Sequence, residues 1–81
     1  MVLIDVRERE EHAQQNLGGL NIPLRELQNT DLPTDRPIVF YCQMGARSLT
    51  AQQWASSVAG FDDALSLEGG ISRALSERSI D

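Results

Sequence analysis

Apolar residues along this chain gather into two short blocks, VLIDV at residues 2–6 and IVFYC at 38–42. Both are rich in β-branched side chains and end in charged or turn residues, the pattern of strands. The near-continuous run of the second block suits the middle of a parallel sheet, where both faces are covered. Between them, EREEHAQQ at 8–15 consists mostly of good helix formers with little apolar period. It predicts a short, largely exposed helix on which His12 is a solvated residue. Gly18 and Gly19 break that helix, Pro23 sets an extended segment, PLRELQ reads as one helical turn, and NTDLPTDRP reads as a surface connection. From Ser48 the period changes: Leu49, Ala51, Trp54, Ala55, Val58 and Ala59 recur at helical spacing until Gly60. A short strand around Ala64 to Leu67, the pair Gly69 and Gly70, and a weakly amphipathic tail ISRALSERSID complete the chain. Strands alternating with helices predict an α/β fold with a mainly parallel sheet. No repeat or low-complexity tract divides residues 1–81, which read as a single domain.

Size and charge narrow the functions such a fold can carry. A single domain of 81 residues has a modest core, worth about 3–5 kcal/mol of net stability. Seven arginines, no lysine and twelve acidic residues give a net charge of −5. That balance argues against nucleic acid or an anionic membrane as a partner, and an anionic substrate would have to be held by local dipoles. No apolar run is long enough to span a bilayer, and MVLIDVRERE lacks the basic start and apolar centre of a signal peptide. The expected location is cytoplasmic, or periplasmic if the chain is a processed mature form. With one cysteine, no disulfide within the chain supports the fold. Cys42 is therefore either a small buried hydrophobe or a chemical group.

Its position favours chemistry. In parallel α/β sheets, sites form at the carboxyl ends of the strands, where each chain turns into the next helix. Cys42 stands at that point, and CQMGARS follows it. Gly45 permits a close approach or a backbone turn that a side chain would block, and Ser48 is placed to cap the helix. Backbone amides gathered there, with the helix N-terminus, form a nest that favours thiolate over thiol, and the thiolate is the nucleophile.

Four segments in order, LIDVREREEH, NIPLREL, IVFYCQMGARS and LEGGI, resemble the rhodanese-like domains over nearly the whole chain. The resemblance implies a small parallel-sheet domain with helices on both faces, and it is nearest to the compact, phage-shock-type members. It also implies sulfur transfer. Cys42 would be the catalytic residue, taking sulfur from thiosulfate or a similar small donor as a persulfide and passing it to cyanide or a thiol. Gln43, Met44, Gly45, Ala46, Arg47 and Ser48 would form the loop around it, Met44 facing solvent where an acceptor docks. A thiolate present at rest needs no base, and neither metal nor cofactor is expected; the domain is expected to act as a monomer. Asp5 and Arg7 would stand behind the loop, with Arg7 and Glu8 tying loops together. Arg47 has two readings: an inward pair with Asp5 that braces the loop, slightly preferred, or a fork that orients an anionic donor. A sulfur carrier or regulatory binding module of the same fold is the alternative function. A phosphatase or arsenate reductase fits less well, since that resemblance requires five residues between Cys and Arg, and Cys42 and Arg47 enclose four. The chain departs from the family pattern at Asn16, where His is common, and at Ala74, where an aromatic is common. The final helix is thus expected to pack loosely, with Trp54 filling part of that volume.

Overall fold

The computed structural model describes residues 1–33 and 35–78. Thr34 of the surface connection and the last three residues of the tail ISRALSERSID lie outside the described residues. Among the described residues four strands, β1 (Val2–Asp5), β2 (Leu20–Asn21), β3 (Ile38–Tyr41) and β4 (Leu65–Ser66), form one sheet in the order β2-β1-β3-β4. Every pairing is parallel, so the carboxyl ends of all the strands lie at one edge. The helices are α1 (Arg9–Gln14), α2 (Ala46–Ser57) and α3 (Gly70–Arg78), and a 3₁₀ segment runs over Leu24–Asn29. Among the described residues no helix is long and apolar enough to cross a membrane.

β3 is buried at all four positions, as its unbroken apolar run requires. Ile38, Phe40 and Cys42 share one face and pack with Ile4 and Val6 of the neighbouring chain segment, Leu27 of the 3₁₀ segment, and Ala51 and Ala55 of α2. The alternate residues, Val39 and Tyr41, turn to the opposite face, where the Tyr41 hydroxyl accepts from the Leu17 amide and donates to the Gly18 carbonyl. That phenol pins the turn leading into β2.

Three expectations need correction here. The edge strand β2 is absent from the sequence reading because two residues cannot show an alternation; only the free edge of β1 makes Leu20–Asn21 a strand. α2 begins at Ala46, two residues before Ser48, with Gly45 as its N-cap at φ 110°. Ser48 therefore does not cap the helix and lies inside its first turn. The buried stripe of α2 is Ser48, Ala51 and Ala55, while Leu49 and Val58 face outward. Small residues at i, i+3 and i+7 let the helix lie close over the sheet. Trp54 flanks the core beside Leu32 and Phe61, and the described residues of α3 beyond Ile71 are at most half-buried.

Candidate active site

Cys42 follows β3 directly and is 1% exposed. The chain then turns through residues 43–45 and enters α2, so the sulfur faces the N-terminus of a twelve-residue helix. The Gly45 amide lies 3.1 Å and the Ser48 amide 3.3 Å from Cys42 Sγ, and the Ser48 hydroxyl stands 3.6 Å away. Burial pushes the thiol pKa up, but the Ser48 hydroxyl and the amides of Ser48, Gly45 and Met44 outweigh it and bring the pKa below its ordinary value. Each of these donors strengthens as charge develops on the sulfur, and the dipole of α2 acts in the same sense.

What holds the loop in this shape is α3. Its first amides donate outward from the helix, Ile71 N to the Cys42 carbonyl at 3.0 Å and Ser72 N to the Gln43 carbonyl at 3.1 Å. With these carbonyls drawn toward α3, the following amides are free to face the sulfur. Gly70 permits the approach: a Cβ there would sit 2.3 Å from the Cys42 oxygen and 2.6 Å from the Gln43 oxygen. The Gly69–Gly70 pair of LEGGI thus has a packing reason that spacing along the chain does not reveal.

Behind the loop lies a buried charged cluster. Asp5 accepts from Arg7 Nε at 3.0 Å and Nη2 at 2.9 Å, and from the Arg7 amide at 3.0 Å, and both residues are buried. Arg7 Nη1 reaches Gln43 Oε1 at 3.2 Å, its Nη2 also donates to the Gln15 carbonyl, and Gln43 Nε2 donates to Ser72 Oγ at 2.9 Å. Gln43 therefore ties the loop both to α3 and, through Arg7, to the end of β1. His12 is not a solvated helix residue: its Nδ1 lies 2.9 Å from Asp5 Oδ2 and its side chain is 23% exposed. The exposed helix read from composition turns this one residue inward over the sheet edge. Glu8 hydrogen-bonds with Glu11 in a capping box at the start of α1 and pairs with Arg25.

Arg47 does not brace Asp5, whose oxygens are taken by Arg7 and His12. It forms a fork with Glu11 of α1, Nη1 to Oε1 at 2.8 Å and Nη2 to Oε2 at 3.1 Å. These hydrogen bonds hold the Glu11 carboxyl down at about 2. A depressed carboxylate pKa contributes stability that is complete above the unfolded value, about 4.3, and is lost as pH falls toward 2. Because the two side chains are 40% and 34% exposed, solvent screening limits the pair to about 0.5–1 kcal/mol. A double-mutant cycle of Glu11→Gln and Arg47→Ala in urea unfolding at pH 7 is expected to show coupling of about that size, fading as pH falls from about 4.3 toward 2. Coupling that persists unchanged at pH 2 would mean that something other than the carboxylate holds Arg47. Met44 is 71% exposed at the rim, and Ala46 is exposed beside it.

One neighbour of the sulfur's surroundings went unread in the sequence. Ser66 of β4 places its hydroxyl 2.7 Å from that of Ser48; a lone serine in a short strand carries no signal until the sheet brings it beside α2.

A parallel sheet with one cysteine at its carboxyl edge, cradled by amides at a helix N-terminus, is a setting that favours thiolate over thiol. The chain belongs to the rhodanese-like domain family, whose model matches residues 1–77. The human thiosulfate:glutathione sulfurtransferase is 36% identical over 94 residues, covering 95% of this chain and 81% of that protein. The probable adenylyltransferase/sulfurtransferase MoeZ of Mycobacterium tuberculosis is 40% identical over 76 residues, covering 88% of this chain and 19% of that protein. The chain thus spans about a fifth of that longer relative. Among solved structures, the human single-domain sulfurtransferase TSTD1 superposes with a TM-score of 0.83 at 34% identity, over 94% of this chain and 81% of that one. A rhodanese-related protein from Thermoplasma volcanium gives 0.84 at 30% identity, over 94% and 77%.

Proposed function

We propose that the domain is a sulfurtransferase that moves a sulfane sulfur from thiosulfate or a similar donor to a thiol or cyanide through a persulfide on Cys42. The carrying observation is the pair of backbone amides, of Gly45 and Ser48, that donate to Cys42 Sγ, with the Ser48 hydroxyl beside the sulfur. Sulfurtransferase relatives at 34–40% identity support the reaction class.

In the first half-reaction the thiolate attacks the outer sulfur of the donor. A new S–S bond forms, the bond from that sulfur to the rest of the donor breaks, and its electron pair leaves with the departing group, sulfite in the case of thiosulfate. The persulfide that remains carries one negative charge on its outer sulfur. In the second half-reaction cyanide or a thiolate attacks that outer sulfur, and Cys42 departs again as thiolate. The charge stays on sulfur throughout, so the donors that lower the pKa of the resting thiol also stabilise the leaving thiolate of the second step. A residue as covered as Cys42 admits a narrow donor end-on. Gln43, Gly45 and Ser48 shape the ring, while Met44, Ala46 and Arg47 form the rim that a donor or acceptor meets. The Arg47 fork is already occupied by Glu11, so an anionic donor would share it.

Intact mass decides this reading. Mixing with thiosulfate is expected to add one sulfur atom to the protein, and cyanide to remove it. A mass that never changes with thiosulfate or with a low-molecular-weight persulfide would leave a binding module of the same fold. Loading without turnover to small acceptors would leave a carrier.

A further inference from the structure

The Ser48 hydroxyl has one proton and three neighbours that compete for it or for its oxygen: Cys42 Sγ at 3.6 Å, the Gly45 carbonyl at 3.1 Å and Ser66 Oγ at 2.7 Å. Which way that proton points decides whether Ser48 helps the thiolate. Pointed at Gly45, it duplicates a bond already made, because that carbonyl accepts from the Leu49 amide at 3.1 Å. Pointed at the sulfur, it stabilises the anion, and the Ser48 oxygen is then left to accept from elsewhere. Ser66 Oγ is at the right distance to donate to it. Ser48 is fully buried, whereas Ser66 sits half-buried on the short edge strand β4, so the pair runs from the covered sulfur toward the surface.

We propose that Ser66 is a positioning residue for the reacting sulfur: its hydroxyl turns that of Ser48 toward Cys42 Sγ and gives the thiol proton a path to solvent. In the thiol state the S–H donates to Ser48 Oγ, and the Ser48 proton points to Ser66 Oγ. On ionisation the sulfur gives its proton to Ser48, Ser48 gives its own to Ser66, and Ser66 releases one to water. Each oxygen ends with a single proton, and one proton has left the protein. The order matters, because the arrangement this shift leaves behind has Ser66 donating to Ser48 and Ser48 donating to the sulfur, the one that best holds the thiolate. Adjacent hydroxyls aligned in this way also polarise one another.

The inference rests on Cys42 acting as a thiolate nucleophile, as proposed above, but its test uses resting protein and no sulfur donor. The rate of Cys42 alkylation by iodoacetamide is measured against pH for the wild type, Ser66→Thr and Ser66→Val. Threonine and valine have nearly the same shape and both suit a strand, so they differ by the hydroxyl alone. Losing one hydrogen bond's worth of support is expected to raise the midpoint of the Ser66→Val profile by about half to one pH unit, a roughly three- to tenfold drop in thiolate at pH values below the midpoint. Ser66→Thr is expected to follow the wild type. If Ser66→Val fails to fold, Ser66→Ala carries the same expected shift. Superimposed profiles for the wild type and the hydroxyl-free variant overturn the proposal, and so does a shift in Ser66→Thr equal to that in Ser66→Val, which would make shape the cause. A protein that shows the shift yet takes up no sulfur keeps the relay and loses the sulfurtransferase reading.

Discussion

Cys42→Ser protein is expected to take up no sulfur from thiosulfate or any persulfide, with activity falling to the uncatalysed background. A serine hydroxyl in the same ring of donors stays protonated near neutral pH, and oxygen in place of sulfur offers no way to hold a sulfane sulfur as a persulfide. The fold should survive the exchange. Cys42 is buried among Ile38, Phe40 and Ala51, but the amides of Gly45 and Ser48 and the Ser48 hydroxyl already face its side-chain heteroatom, so a serine oxygen arrives with partners in place. Urea unfolding within about 1 kcal/mol of the wild type, together with complete loss of loading in intact-mass spectra, is the expected pair of results. Residual loading in Cys42→Ser would move the chemistry to another group, and the chain has no other thiol.

The largest stability effect is expected from Gly70→Ala. The added Cβ would meet the Cys42 and Gln43 carbonyl oxygens at 2.3 and 2.6 Å, backbone atoms that no rotamer can move, at a position where φ is +59°. Either α3 withdraws, breaking the Ile71 and Ser72 bonds to those carbonyls, or the loop does. Overpacking, two lost hydrogen bonds and left-handed backbone together come to about 3 kcal/mol or more, most of what a domain this small has to spare. Gly60→Ala is the control: its φ is +79°, with nothing within 4 Å of the added Cβ, and it should cost only the backbone strain, about 1 kcal/mol. In the folded fraction of Gly70→Ala, alkylation of Cys42 should also slow at neutral pH, since the amides no longer converge on the sulfur. Equal urea midpoints for the two variants would show that the close approach of α3 does not shape the loop.

The sulfur's surroundings also show how so small a fold can favour a thiolate. Its donors are mostly backbone groups, set by one strand end, one helix start and the first turn of α3, and the charged cluster of Asp5, Arg7 and Gln43 fixes the loop from behind. Little of this needs a deep pocket.

By itself, the sequence determined what is local or depends on unbroken patterns. The run IVFYC read as a buried strand, a helix after it was legible although its start and its buried stripe were not, and a single cysteine at that junction marked the candidate site. Tertiary structure decided the pairings, because partners distant in the chain leave no periodic trace. It gave Arg47 to Glu11 rather than Asp5, since Arg7 and His12 fill the Asp5 carboxylate and α1 carries Glu11 over the loop. It drew His12 inward from a helix whose composition read as solvated. It paired Leu20–Asn21 as an edge strand and brought Ser66 beside Ser48. Hydrophobic periodicity records that an element forms; which stripe of it is buried, and which charged or hydroxyl groups meet at the sheet's carboxyl edge, depends on how the elements are laid side by side, and only packing the sheet supplies that.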